Sequence, residues 1–191
     1  VRAGGASFLV DYASGTEFYR ARVFPTLEGD FTLVFGALAS QAAVILDVGA
    51  NMGLYTLLGA SKNPQARVYA LEPEPHNLGA IRRNVKANRL DNVTSLPLGL
   101  GDRQATVTLR LEGLKENAAG TGHHVVNEGE GLSIMVADLD SLIAAGVVQP
   151  PELIKMDIEG YEFKALMGMR RLLEERHPDL LIEVHPSILP R

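Results

Sequence analysis

The sequence predicts an α/β fold, a mostly parallel sheet with helices on both faces, and three observations carry that expectation. From Ala43 onward short apolar runs alternate with segments of helical periodicity, the pattern of parallel strands joined by crossover helices. The runs Ala43-Val-Ile-Leu-Asp-Val48 and Leu153-Ile-Lys-Met-Asp157 are apolar with little alternation, as strands covered on both faces must be. Carboxylates collect where these runs end, and an open parallel sheet binds its ligand beyond the C-terminal ends of its strands.

Taken in order, residues 1–43 are the least periodic. Phe8 to Val10 and Phe18 to Phe24 read as short strands and Glu28 to Ala39 as a helix; the whole segment is expected as an N-terminal extension packing on a core of residues 44–191. After the strand at Ala43–Val48 comes a tight loop, Gly49-Ala-Asn-Met-Gly53, and then a helix marked by Leu54, Leu57, Leu58 and Ser61. Ala66–Leu71 is the second strand, and Pro75 suits the first turn of a helix whose buried stripe is Leu78, Ile81 and Val85. Val93–Leu98 is a third strand that opens into Gly99-Leu-Gly-Asp102, and Ala105–Leu111 alternates as one arm of a hairpin. Glu112–Gly131, which carries His123 and His124, has no periodicity and reads as a long loop that could close over a substrate. Ser133–Val136 is a short strand and Asp138–Ala145 a short helix. The strand at Leu153–Asp157 leads into one helix from Gly160 to Glu175, with Phe163, Leu166, Met167 and Leu173 facing inward. Leu180–His185 is the last strand.

Composition narrows the function classes. The 191 residues hold no cysteine, which excludes disulfides, thiolate metal sites and a cysteine nucleophile. A net charge of −5 argues against a basic nucleic-acid surface. No apolar run approaches the length of a membrane span, so no membrane partner is expected and a cytoplasmic location is the plain reading. The chain opens on Val, which suggests trimming at its N-terminus.

The strand ends then supply a candidate site. The first strand contributes Asp47, Gly49 and Asn51, the second Glu72, the third Gly101 and Asp102, the fourth Asp157 and Glu159, and the fifth Glu183 and His185. Gly49 and Gly53 let the backbone turn sharply and approach a ligand. A carboxylate at Asp47 facing that loop would repel a pyrophosphate but attract the ammonium of a methionine moiety, which favours S-adenosylmethionine (SAM) over NAD. Glu72 can accept both ribose hydroxyls, a charge-assisted contact of about 1.5–3 kcal/mol, or it can cap the helix at Pro75. The Gly99–Asp102 loop either flanks an adenine, with Asp102 an acceptor for its amino group, or is an ordinary turn.

These segments together resemble the FkbM-type family of SAM-dependent methyltransferases. The resemblance runs through Asp47-Val-Gly-Ala-Asn-Met-Gly53, Leu71-Glu-Pro73 with Asn77 and Asn84, and Gly99-Leu-Gly-Asp102. It continues through Asp138-Leu-Asp140, Ile154-Lys-Met-Asp-Ile-Glu-Gly160 and Ile182-Glu-Val-His-Pro186. It implies a Rossmann-like class I methyltransferase fold and O-methylation of a hydroxylated small molecule, a sugar or natural product. It also implies a SAM-binding role for Asp47, Gly49, Asn51, Gly53, Glu72 and Asp102. The family's sheet continues with two further strands after the one ending here at His185. The expectation is therefore one of two: a shortened chain lacking the sheet's last two strands, or an edge covered by residues 1–43 or by a second subunit in a homo-oligomer.

Methylation of an alcohol requires a base within hydrogen-bond reach of the hydroxyl. Asp157 is the first candidate, beside the first strand, and His185 the second. Asp157, Glu159 and Glu183, with His185, could instead hold a divalent cation such as Mg²⁺, or the first two could pair with Lys155 and cap the following helix. Two other classes remain open on the sequence: an NAD-dependent oxidoreductase and a non-catalytic nucleotide-binding domain.

Overall fold

In a computed structural model, the structure describes residues 1–111, 123–126 and 131–184. Its elements in chain order are β1 (Arg2–Ala3), β2 (Ala6–Ser7), α1 (Gly15–Leu27), α2 (Gly29–Ala39), β3 (Val44–Val48), α3 (Leu54–Lys62), β4 (Arg67–Leu71) and α4 (Pro75–Ala87). There follow β5 (Val93–Leu96), β6 (Gly99–Leu100), β7 (Ala105–Leu111), β8 (His123–Val126), β9 (Leu132–Ala137), α5 (Leu139–Ala144), β10 (Leu153–Met156), α6 (Glu162–Met167), α7 (Arg170–Arg176) and β11 (Asp179–Ile182).

The central sheet has the order β11-β10-β3-β4-β5, with every neighbouring pair parallel. Because side chains alternate across a strand, each central strand feeds two cores. Ile45, Val68, Leu153 and Leu181 pack on one face with Phe35 of α2 and with Leu57 and Leu58 of α3. Leu46, Tyr69, Ile154 and Ile182 pack on the other with Leu139 of α5, Ala165 of α6 and Leu172 of α7. Helices therefore cover both faces, as the unbroken apolar runs require. A second, four-stranded sheet, β6-β9-β7-β8, stands beside it, with β6 and β9 parallel and the other pairs antiparallel. The sequence suggests the β7 hairpin but not this sheet: β8 falls inside the stretch expected as a long loop, most of which lies outside the described residues.

The N-terminal segment departs most from expectation. Phe18–Phe24 is helical within α1, not a strand, and Phe8–Val10 is not a strand either; the short strands of this segment are β1 and β2. The helix signal is the Ser14-x-x-Glu17 start: the Ser14 hydroxyl accepts from the Glu17 N–H at 3.2 Å, while the Glu17 carboxylate accepts from the Ala13 N–H at 2.7 Å. Aromatic residues at 18, 19 and 24 resemble a strand by propensity, and capping with tertiary packing outweighs that preference. The segment is tied down by Phe24, Phe31 and Phe35, whose rings meet Tyr55 of α3 edge-on at 5.0, 5.6 and 5.1 Å, each contact worth about 0.5–1.5 kcal/mol. Asn84 and Asn88 of α4 hold residues 9–11 through their side-chain amides. These residues lie on a face of the sheet; among the described residues β11 pairs with β10 alone, so the segment does not extend the sheet at that edge.

The helix expected from Gly160 to Glu175 is two helices, broken between Met167 and Arg170. A Cβ on Gly168 would lie 1.9 Å from the Gly101 carbonyl oxygen, so the chain must turn there to clear β6. The break changes the inward face: Phe163 is 63% and Met167 50% exposed, while Ala165, Met169 and Leu172 are buried. Asp140 locks the arrangement, accepting from the Arg171 and Leu172 N–H groups at 2.8 and 3.0 Å. Asp138 caps α5 through Ser141 at 2.8 Å. The Asp138-Leu-Asp140 motif is thus explained by helix capping.

Candidate functional site

A cleft opens at the C-terminal ends of β3, β4 and β10. One wall is polar and comes from the strand-end loops, through Gly49, Asn51, Glu72, Asp157 and Glu159, with Asn77 from the first turn of α4. The opposite wall is apolar and comes mainly from the second sheet, through Leu100, Leu109, Val125, Ile134 and Val136, joined by Tyr161.

Glu72 sits just past β4 and is buried. One carboxylate oxygen accepts from the Asn51 N–H at 2.7 Å and the other from the Glu74 N–H at 2.9 Å. It therefore fastens the β3 loop to the β4 loop. The helix at Pro75 is capped by Glu74, which accepts from the His76 and Asn77 N–H groups at 2.9 and 2.7 Å, and not by Glu72. Burial pushes the Glu72 carboxyl up to about 7, against the lowering effect of its two backbone donors.

Asn51 adopts a left-handed φ of 53°, held by three contacts: its N–H to Glu72, and its side-chain oxygen accepting from the Met52 N–H and from the Arg20 guanidinium. Gly49 has φ +70°, and a Cβ there would lie 2.0 Å from the Asp157 carbonyl oxygen. Its glycine is required by the approach of β10's end as much as by any ligand. Gly53, at φ +88°, starts α3 against Ile81 of α4, where a Cβ would sit 3.1 Å from the Ile81 side chain.

Asp47 does not line the cleft. It is fully buried on the α3 face of the sheet, its Oδ2 accepting from the Thr56 hydroxyl at 2.6 Å and its Oδ1 3.8 Å from Lys155 Nζ. Burial pushes its carboxyl up, with the Lys155 ammonium and the Thr56 hydrogen bond opposing. Lys155 also stands 3.9 Å from Asp157 Oδ2, and the Asp157 side chain is 32% exposed at the cleft. Gly101 packs directly behind the cleft wall, where a Cβ would meet Tyr161 and Val136, and Asp102 pairs with Arg103 at 3.3 Å; neither Asp102 nor Gly53 lies in the cleft wall.

The metal candidates are not gathered together. Asp157 and Glu159 line the cleft, whereas Glu183 lines a separate groove with Glu28 and Asp30. Among the described residues no group of three or more His, Cys, Asp or Glu is placed to hold a metal ion. His185 lies outside the described residues.

Four contributions escape the sequence reading. Arg20, half-buried on α1, reaches Asn51 and lies within electrostatic range of Asp157, Glu72 and Glu159; nothing local in α1 marks it. Tyr161 and the apolar wall depend on a sheet assembled from distant strands. The Asp47–Lys155 pair was legible in principle, since parallel pairing of two buried runs sets Lys155 beside Asp47.

Residues 47–191 match the methyltransferase FkbM domain. The chain is 30% identical over 153 residues to the hexuronic acid methyltransferase AglP of Haloferax volcanii, covering 80% of this chain and 60% of that protein. It is 27% identical over 169 residues to the 31-O-demethyl-FK506 methyltransferase FkbM of Streptomyces tacrolimicus, covering 74% and 65%. The chain thus spans less than two thirds of the length of either relative. The crystal structure of methyltransferase FkbM from Methylobacillus flagellatus KT has the same fold, with a TM-score of 0.52 at 23% identity, covering 92% of this chain and 44% of that one.

Proposed function

The chain belongs to the FkbM methyltransferase family, and from that premise we propose that it transfers a methyl group from SAM to a hydroxyl oxygen of a sugar or natural-product small molecule. The observation that carries this reading is the two-sided cleft: carboxylates along one wall, an apolar slot along the other. The slot suits an adenine. Glu72 at its rim suits ribose hydroxyls, because each of its oxygens has accepted one backbone N–H and keeps acceptor capacity. Three carboxylates, Glu72, Asp157 and Glu159, would repel a pyrophosphate, which disfavours a dinucleotide.

When bound, SAM supplies the electrophile, a methyl carbon whose bond to sulfur breaks as the acceptor oxygen bonds to it. Asp157 takes the hydroxyl proton onto its carboxylate as that oxygen attacks. Glu72, Gly49 and Asn51 hold the nucleoside side; Glu159 lines the cleft beside them and Arg20 fixes the Asn51 side chain. Asp47, Gly53 and Gly101 serve the site from behind its walls. The names of the two relatives, one a hexuronic acid methyltransferase and the other a 31-O-demethyl-FK506 methyltransferase, support an oxygen acceptor.

Calorimetric titration with S-adenosylhomocysteine (SAH), the demethylated product, tests the cofactor, with NAD as control. Micromolar binding of SAH alone is the expected result, and binding of NAD alone overturns it. Transfer of labelled methyl to a panel of sugars, hexuronic acids, macrolide alcohols and amines then tests the acceptor class; methylation of the amines but not of the hydroxyls would reject O-methylation.

A further inference from the structure

We propose that Lys155 is a positioning residue that holds the Asp157 carboxylate at the cleft, anchored in turn by Asp47; this rests on the reading of Asp157 as the proton acceptor. The placement follows from the sheet. Lys155 and Asp47 are register partners on neighbouring parallel strands and point to the same face, where α3 packs. Asp157 is two residues beyond Lys155 and so shares that face, one step past the end of β10. The ammonium therefore has one carboxylate beside it and another above it, at 3.8 and 3.9 Å. The ring of Tyr55 closes the third side, 5.1 Å from Nζ to the centroid.

Lys155 is buried, and a buried ammonium stays where its partners are because no water replaces them. Asp47 is anchored by Thr56 from α3, so the chain Thr56–Asp47–Lys155–Asp157 runs from the sheet's interior to the cleft. Other charged groups approach from each side: Arg20 of α1, within electrostatic range of Asp157, Glu72 and Glu159, and Glu28 and Glu183 toward Tyr55. Arg20 is the competing cation. It comes from α1, whereas Lys155 comes from within the sheet.

The test removes Lys155 without leaving a buried charge alone. Asp47→Asn is made first and used as the background, and the side-chain carboxyl carbon of Asp157 is followed by NMR in protein labelled with ¹³C at aspartate. Its resonance is identified by its loss in Asp157→Asn. The expected result is a displaced resonance in Asp47→Asn, where Lys155 loses its anchor, a larger displacement in Asp47→Asn/Lys155→Met, and a return to the Asp47→Asn position in Asp47→Asn/Lys155→Arg. An unmoved resonance in the methionine variant overturns the proposal and leaves Arg20 as the anchor. Failure of that charge-balanced variant to fold also overturns it, because Lys155 would then act on the fold. If the resonance moves as expected but Asp157→Asn retains turnover, the positioning stands and the proton-acceptor reading alone falls.

Discussion

The two walls of the cleft are built by different means. The polar wall belongs to the central sheet, where each side chain sits within a few residues of the end of a buried strand. The apolar wall belongs to the second sheet, whose strands β6, β7, β8 and β9 pair across a gap in sequence and bring Leu109 beside Ile134 and Val136. A single substitution in the polar wall should alter chemistry or affinity sharply, because few groups share each task. The apolar wall should respond gradually, since dispersion contacts are many and individually small.

The largest effect is expected at Asp157. Asp157→Asn should lower turnover by about 10²–10⁴-fold while SAH affinity, read by calorimetry, stays within a factor of three of wild type, on the order of 0.7 kcal/mol. Retained turnover would remove Asp157 from the chemistry. Gly49→Ala comes next: a Cβ 2.0 Å from a backbone oxygen, at φ +70°, should cost about 3 kcal/mol or more in urea unfolding. A loss under about 1 kcal/mol would mean that the β10 end yields.

Glu72 affects two observables with opposite signs. Its carboxyl is pushed from 4.5 up to about 7 in the folded chain, so between those values the native state binds more protons than the unfolded state. Stability should therefore fall as pH rises through that window, and Glu72→Gln should flatten the melting temperature across it. SAH affinity should rise over the same range, as the carboxylate becomes free to accept ribose hydroxyls. Glu72→Ala should weaken SAH at least about tenfold, or about 1.4 kcal/mol; unchanged affinity and an unchanged pH profile would take Glu72 out of the site.

The smallest effect is expected in the apolar wall. Val136→Ala should cost about 1–2 kcal/mol of stability and shift SAH affinity only a few-fold, about 0.8 kcal/mol. A loss as large as that of Glu72→Ala would mean that the two walls do not divide the work as their construction suggests.

The central sheet was legible because burial on both faces forces continuous apolar runs, and Ala43–Val48 and Leu153–Asp157 differ from β3 and β10 by only a residue at an end. The positions of Glu72 and Asp157 followed, since the cleft forms where those strands stop. Asp47 shows the limit of that logic. A carboxylate at a strand's end can face outward or inward, and which it does depends on what the opposite helix and neighbouring strand present; here Thr56 and Lys155 face it. Phe18–Phe24 shows the other limit, with strand-like composition overridden by a capped helix docked on Tyr55.

The sequence by itself determined the strand–helix alternation, the loops at the C-terminal strand ends and the family, because each is written in contiguous residues through periodicity, turn chemistry and motif. Tertiary structure alone decided that Arg20 reaches Asn51, that a second sheet supplies the apolar wall, and that Asp47 is sealed under α3 and does not line the cleft. Those outcomes are contacts between groups far apart along the chain, and their energies exist only once the packing that excludes water has brought the groups together.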